Sequence, residues 1–197
     1  MGEHAAEIGD LARIILAGDS AGGNLSAVTA LRIRDEGGPE LRGQLLIYAA
    51  LGYHTPPTPS YIENAEGYGL TREAAIWFRK QYLADESQAA HPHAAPLFAP
   101  DLRGLPSALV ITAEYDVLRD EGARYVERQR AAGVPARLAC YDGVNHRFAE
   151  LIGILDQAEQ ARDEVCAWLR EVLAITQPTR NCLMRRERVE TGTEVGM

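Results

Sequence analysis

Residues 13–22 constrain the fold more than any other stretch of this chain. Arg13-Ile14-Ile15-Leu16-Ala17 is a short apolar run, β-branched at its centre, and it passes without a spacer into Gly18-Asp19-Ser20-Ala21-Gly22. Beyond it, Leu25, Val28, Leu31 and Ile33 recur among helix formers from Asn24 to Arg34, until Gly37-Gly38-Pro39 stops the pattern. A buried strand that becomes a helix over so few residues needs a sharp, strained turn. The G-x-S-x-G spacing places a serine at the apex of that turn. Glycines flank it where a Cβ is expected to collide with neighbouring backbone. The helix N-terminus then lies behind Ser20, with free N–H groups that can face a developing negative charge.

The same alternation continues down the chain. Gln44–Tyr48, Ala108–Thr112 and Arg137–Tyr141 read as further strands. Helices are expected from Thr71, as N-cap, with Ile76, Trp77, Tyr82 and Leu83 on one face, and from Asp120 to Ala132. A long amphipathic helix over Asp156–Leu173 has Ala158, Ala161, Val165, Trp168, Leu169 and Val172 at helical spacing. Strand–helix alternation with near-continuous apolar strands predicts an α/β fold, a parallel sheet of about four strands flanked by helices. Residues 52–106, broken by prolines and glycines, form a loop and helix excursion within it. One partial domain is expected over residues 1–174, followed by a disordered tail at 175–197. Ala5, Ala6 and Ile8 resemble the end of a helix without a preceding strand, so the chain is expected to enter its fold partway through.

Composition narrows the partners. The net charge of −8 argues against nucleic acid and against an anionic membrane surface. No apolar run approaches the ~20 residues of a membrane span. The first residues, MGEHAAEIGD, carry no signal-peptide pattern. Three cysteines, Cys140, Cys166 and Cys182, fit neither a disulfide framework nor a zinc site and suit a reducing cytoplasm.

A serine hydroxyl becomes a nucleophile only beside a base. Of the five histidines, His4 precedes the serine, His54 lies in a proline-rich loop, and His91-Pro92-His93 lacks further metal ligands. His146 follows the fourth strand through Asp142-Gly143-Val144-Asn145, where a base in the order serine, acid, histidine belongs. The acid belongs after the third strand, where Glu114, Asp116, Asp120 and Glu121 all lie. Asp116 sits on the loop itself and Glu114, its chief rival, at the strand end. Asp120 reads as a helix N-cap, and Glu121 as first-turn charge suited to the helix dipole.

Four stretches together resemble the hormone-sensitive-lipase-like esterases of the α/β-hydrolase fold. They are Gly18-Asp19-Ser20-Ala21-Gly22-Gly23-Asn24-Leu25, Thr58-Pro59-Ser60-Tyr61 with Glu63-Asn64, residues 105–122 around Glu114-Tyr115-Asp116-Val117-Leu118, and Tyr141–His146. The similarity spans roughly residues 5–173. It implies Ser20 as nucleophile, Asp116 as acid and His146 as base, acting on a small-molecule carboxylic ester without a cofactor or metal. It also implies the backbone N–H of Ala21 as an oxyanion-hole donor.

Two features depart from the family pattern. The family's His-Gly-Gly-Gly motif, which supplies most of the oxyanion hole, does not occur here, and Arg147 stands where glycine is frequent. The resemblance therefore implies a C-terminal portion of the fold, with Arg13–Ala17 as an exposed sheet edge open to oligomerisation. Two readings follow: an ester hydrolase impaired by the absent loop, or a non-catalytic remnant acting only through binding.

Overall fold

A computed structural model describes residues 9–174. The expected tail at 175–197 and the helix-like start at Ala5, Ala6 and Ile8 lie outside the described residues. Four strands, β1 (Ile14–Asp19), β2 (Leu41–Ile47), β3 (Ala108–Tyr115) and β4 (Ala136–Asn145), form one parallel sheet in the order β1-β2-β3-β4. The helices are α1 (Ser20–Glu36), α2 (Pro59–Glu63), α3 (Arg72–Tyr82), α4 (Arg119–Ala131) and α5 (Asp156–Val172). β1, β3 and β4 run two to four residues past the expected strand ends, because backbone pairing continues there, whereas β2 starts three residues earlier than expected and ends at Ile47 rather than Tyr48.

The two faces of the sheet bury separate cores. On one face Ala27, Ala30 and Leu31 of α1 and Tyr125 and Val126 of α4 pack on Leu46, Ala108 and Val110. On the other face Ala161 and Trp168 of α5, with Val165, Leu169 and Val172 partly buried, cover Leu45, Leu109 and Ile111. This is the face that the spacing of α5 predicts. Gly43 in β2 leaves room for the Trp168 ring, which a Cβ there would approach to 2.6 Å. Burial falls off toward β1: β3 is buried over six consecutive residues, whereas every β1 residue is half-buried or exposed. Among the described residues β1 pairs on one side only.

The excursion between β2 and β3 packs over the carboxyl ends of the strands. Tyr61 of α2 and Ala75 of α3 bury against Val117 and Leu118 at the start of α4. Thr71 caps α3 as expected, accepting the Ala74 N–H at 3.1 Å. The expected face of α3 is corrected. Trp77 and Tyr82 point outward, about half exposed, while Ala75 and Arg79 turn inward. The buried face is thus chosen by a guanidinium with carbonyl partners rather than by the larger aromatic side chains.

Candidate active site

All the candidate residues sit at the carboxyl ends of strands, where α/β sheets form crevices. Ser20 follows β1 as the first residue of α1, with φ of 51°. A non-glycine residue rarely adopts that left-handed conformation, and it holds the hydroxyl on a half-buried bend. Gly18 makes the turn possible, since a Cβ there would lie 2.3 Å from the carbonyl of Gly22. The expectation for the second flanking glycine is corrected. A Cβ at Gly22 would meet only an Asp19 carboxylate oxygen, at 3.8 Å. Gly23 is the crowded position, with a Cβ at 2.4 Å from that of Ala49. Nothing in the structure explains the glycine at 22.

Ser20 Oγ lies 3.0 Å from Nε2 of His146, and Nδ1 of the same ring lies 2.7 Å from Oδ2 of Asp116. Three residues drawn from the ends of β1, β3 and β4 thus form one hydrogen-bonded line. Asp116 is 2 % exposed, and its Oδ1 accepts the Leu118 N–H at 2.9 Å. Asn64 donates to the carbonyls of Glu114 and Asp116, fixing the loop that carries the acid. The Tyr48 ring packs on the His146 ring with centroids 4.8 Å apart. Burial, with Asp19 second, pushes the Tyr48 hydroxyl well above its ordinary pKa, so it stays neutral.

The other acidic candidates have different places. Glu114 does not pair with His146 but accepts the Gly143 N–H at 2.7 Å, in β4 before the histidine. Asp120 is not the N-cap. It lies inside the first turn of α4, pairs with Arg119 and accepts the Ser60 N–H. Glu121 is not a solvated first-turn charge either, being fully buried and accepting the N–H groups of Leu51 and Gly52, both at 2.7 Å. Burial pushes its carboxyl above the ordinary value, opposed by Arg79 and by those two amides.

Ala21 occupies the first turn of α1. Asp19 precedes that helix without capping it through its side chain, so the first amides keep no side-chain partner. Arg147 has φ of 72°, in the left-handed region that favours glycine, and an ion pair with Glu150 holds it there. His91 and His93 face one another in a loop, where His91 Nδ1 accepts the His93 N–H. Sequence reasoning gave no role to Tyr48, Asn64 or Arg79. Their partners are backbone groups or rings distant in sequence, and spacing alone does not reveal such contacts.

Comparison with known proteins places this architecture. Residues 1–150 match a family model described as the α/β hydrolase fold. Carboxylesterase NlhH of Mycobacterium tuberculosis is 40 % identical over 177 residues, which cover 88 % of this chain and 55 % of that protein. An arylesterase of Saccharolobus solfataricus is 37 % identical over 148 residues, 74 % of this chain and 48 % of its own. The structure of EstE1, a thermostable carboxylesterase from a metagenomic library, superposes with a TM-score of 0.83 at 41 % identity, covering 89 % of this chain and 60 % of EstE1. The chain spans about half the length of the curated relatives it matches. Fold, elbow and sequence similarity agree, and the chain belongs to the α/β-hydrolase-fold family, among its hormone-sensitive-lipase-like esterases.

Proposed function

We propose that the chain carries the catalytic triad of a serine carboxylic ester hydrolase, with Ser20 as nucleophile, His146 as base and Asp116 as acid. The observation that carries this reading is the hydrogen-bonded line from Ser20 Oγ through His146 to Asp116, at 3.0 and 2.7 Å. Ser20 Oγ attacks the ester carbonyl carbon while His146 Nε2 takes its proton. The carbonyl oxygen becomes an oxyanion and turns toward the Ala21 N–H. The intermediate collapses, the bond to the alkoxy oxygen breaks, and His146 Nε2 gives its proton to the departing alcohol. Water, deprotonated by the same nitrogen, then releases the acid from the acyl-serine. Asp116 stays ionised throughout, keeps Nδ1 protonated and stabilises the imidazolium. Its burial leaves His146 and the Leu118 amide as its partners, which favours one ring orientation.

The relatives point to the substrate class, a small carboxylic ester, since they are named carboxylesterases and an arylesterase, and the triad chemistry itself calls for no metal or cofactor. The Ala21 N–H is the oxyanion donor in this reading, and the sequence has no His-Gly-Gly-Gly run to add others. Losing one such donor typically costs about 10²–10³ in kcat, so turnover by these residues alone is slow. A serine-directed phosphonate tests the assignment, since it needs the nucleophile and base but no completed turnover. Wild-type chain is expected to be labelled once, at Ser20, and Ser20→Ala not at all. Labelling of Ser20→Ala at the wild-type level would overturn the assignment, and absence of wild-type labelling would favour a binding remnant.

A further inference from the structure

The segment Tyr48–Gly52 touches both the serine and the histidine of the triad. Its Ala50 N–H donates to the Ser20 carbonyl at 3.2 Å, and Ala49 packs against the elbow at Gly23. Tyr48 underlies the His146 ring and itself sits at φ of 36°, a strained conformation for a tyrosine. Something must hold this backbone in place. Past the end of β2 at Ile47, backbone bonds hold only part of it, the Tyr48 N–H donating to the Ile111 carbonyl at 2.7 Å and the Leu97 N–H to the Leu51 carbonyl at 2.8 Å.

Two buried charges hold it. Arg79, from α3, donates to the carbonyls of Ala50, Gly52 and Ala94 at 2.7–2.9 Å. Glu121, from α4, accepts the N–H groups of Leu51 and Gly52 with a single oxygen, Oε2. The Ala50–Leu51 peptide unit therefore has a guanidinium on its oxygen and a carboxylate on its N–H. Asn24 adds a second donor to that oxygen, at 2.7 Å. A peptide dipole lying between a cation and an anion is bound at both ends by charge-assisted hydrogen bonds. Both side chains are buried, so water does not compete for these contacts. The two charges do not form a direct ion pair: they act on each other through the loop they hold.

We infer that Arg79 and Glu121 are positioning residues, which clamp the Tyr48–Gly52 backbone so that the serine elbow and the His146 ring keep their hydrogen-bonding distance. This rests on the triad reading for its catalytic consequence, but the clamp is open to test without any chemistry. The prolines and glycines of the excursion thereby gain a purpose, because they deliver α3 and its Arg79 to the underside of the site.

The experiment uses Arg79→Lys, Arg79→Met, Glu121→Gln and Glu121→Ala in the full chain, with two readouts on each. Amide hydrogen exchange of residues 48–52 is compared with that of α5, on the far face of the sheet. Phosphonate labelling of Ser20 is timed under conditions where circular dichroism shows the variant folded. Glu121→Ala and Arg79→Met are expected to raise exchange in Tyr48–Gly52 at least about tenfold while leaving α5 protected, and to slow labelling by a similar factor. Glu121→Gln is expected to recover much of both. Its carbonyl oxygen can replace Oε2, and Oε1 has no partner among the described residues for an amide nitrogen to displace. Arg79→Lys keeps the charge but loses the fork that reaches three carbonyls, so it recovers less.

Folded variants with wild-type exchange in residues 48–52 would overturn the inference, whether or not Ser20 reacts. Faster local exchange with unchanged labelling would overturn the catalytic half. Failure of all four variants to fold would reduce both residues to structural roles and overturn it as well. An unlabelled wild type with the expected exchange pattern would instead count against the triad reading and leave the clamp standing.

Discussion

Aspartate and glutamate two residues apart at the end of β3 do different work, and the difference is one of aim. Asp116 is turned inward onto His146 and has the Leu118 amide as its second partner, whereas Glu114 spends its carboxylate on the Gly143 N–H. Asp116→Asn should slow phosphonate labelling of Ser20 by about 10²–10⁴, since an amide cannot stabilise the imidazolium and favours the wrong tautomer. Glu114→Gln should cost less than tenfold, because a carbonyl oxygen can still accept from Gly143; the reverse ranking would exchange their roles. The glycines of the elbow divide in a similar way. Gly22→Ala should keep the fold and gain roughly 0.5–1 kcal/mol of helix propensity, read as a higher urea midpoint. Gly18→Ala drives a Cβ into the Gly22 carbonyl and should lose the cooperative transition. The motif marked both positions alike in the sequence. Only the path of α1 past Gly18 and Ala49 separates the glycine that geometry requires from the one it leaves free.

At the scale of elements, strands and helices were legible because their periodicity is set by burial, and burial is what apolar spacing records. The face of α5 was readable for that reason, with Trp168 and its neighbours falling on the sheet as spaced. The face of α3 was not. There, carbonyls of a distant loop outcompete Trp77 and Tyr82 for the inward position, and a buried arginine leaves no hydrophobic pattern. Glu121 escaped for the same reason, since a carboxylate in a first helical turn ordinarily answers the dipole rather than a loop from another strand. The β1 strand has the composition of an interior strand and the exposure of a border one. Such a border invites pairing with another chain. Ala17→Lys, on an exposed β1 position, should raise the monomer fraction in sedimentation velocity at high protein concentration without shifting the thermal midpoint by more than a few degrees. A wild type that stays monomeric at those concentrations would remove the reason for the change.

For the molecule as a whole, position of the reacting groups and charge stabilisation are separable requirements. The first is met within these residues, by a serine, a histidine and an aspartate at hydrogen-bonding distance. The second rests, in the proposed reading, on the Ala21 N–H at the start of α1. A polypeptide bearing the His-Gly-Gly-Gly loop that the family resemblance implies, fused ahead of residue 1, should raise kcat/KM on a short-chain aryl ester at least about 100-fold over the chain alone. Equal values for the two would mean that donors within these residues suffice. The exposed β1 border predicts a companion effect: a fused segment that pairs with β1 should also make the chain less prone to associate.

The strands of the sheet enter in the order in which they are made, each laid beside the last, and this has a consequence for synthesis. A ribosome delivers β1 with its bent serine first, then β2 with the loop beneath it, then the acid, and the histidine last of all. Ser20 and His146 are 126 residues apart, so at about 5–20 residues per second the hydroxyl waits roughly 6–25 s for its base. Until His146 is made, Ser20 has no base in the proposed triad and is no more reactive than any other alcohol. On the proposed triad, a message broken anywhere before the codon for His146 yields a product that lacks its base, and with it the ester hydrolysis proposed for these residues.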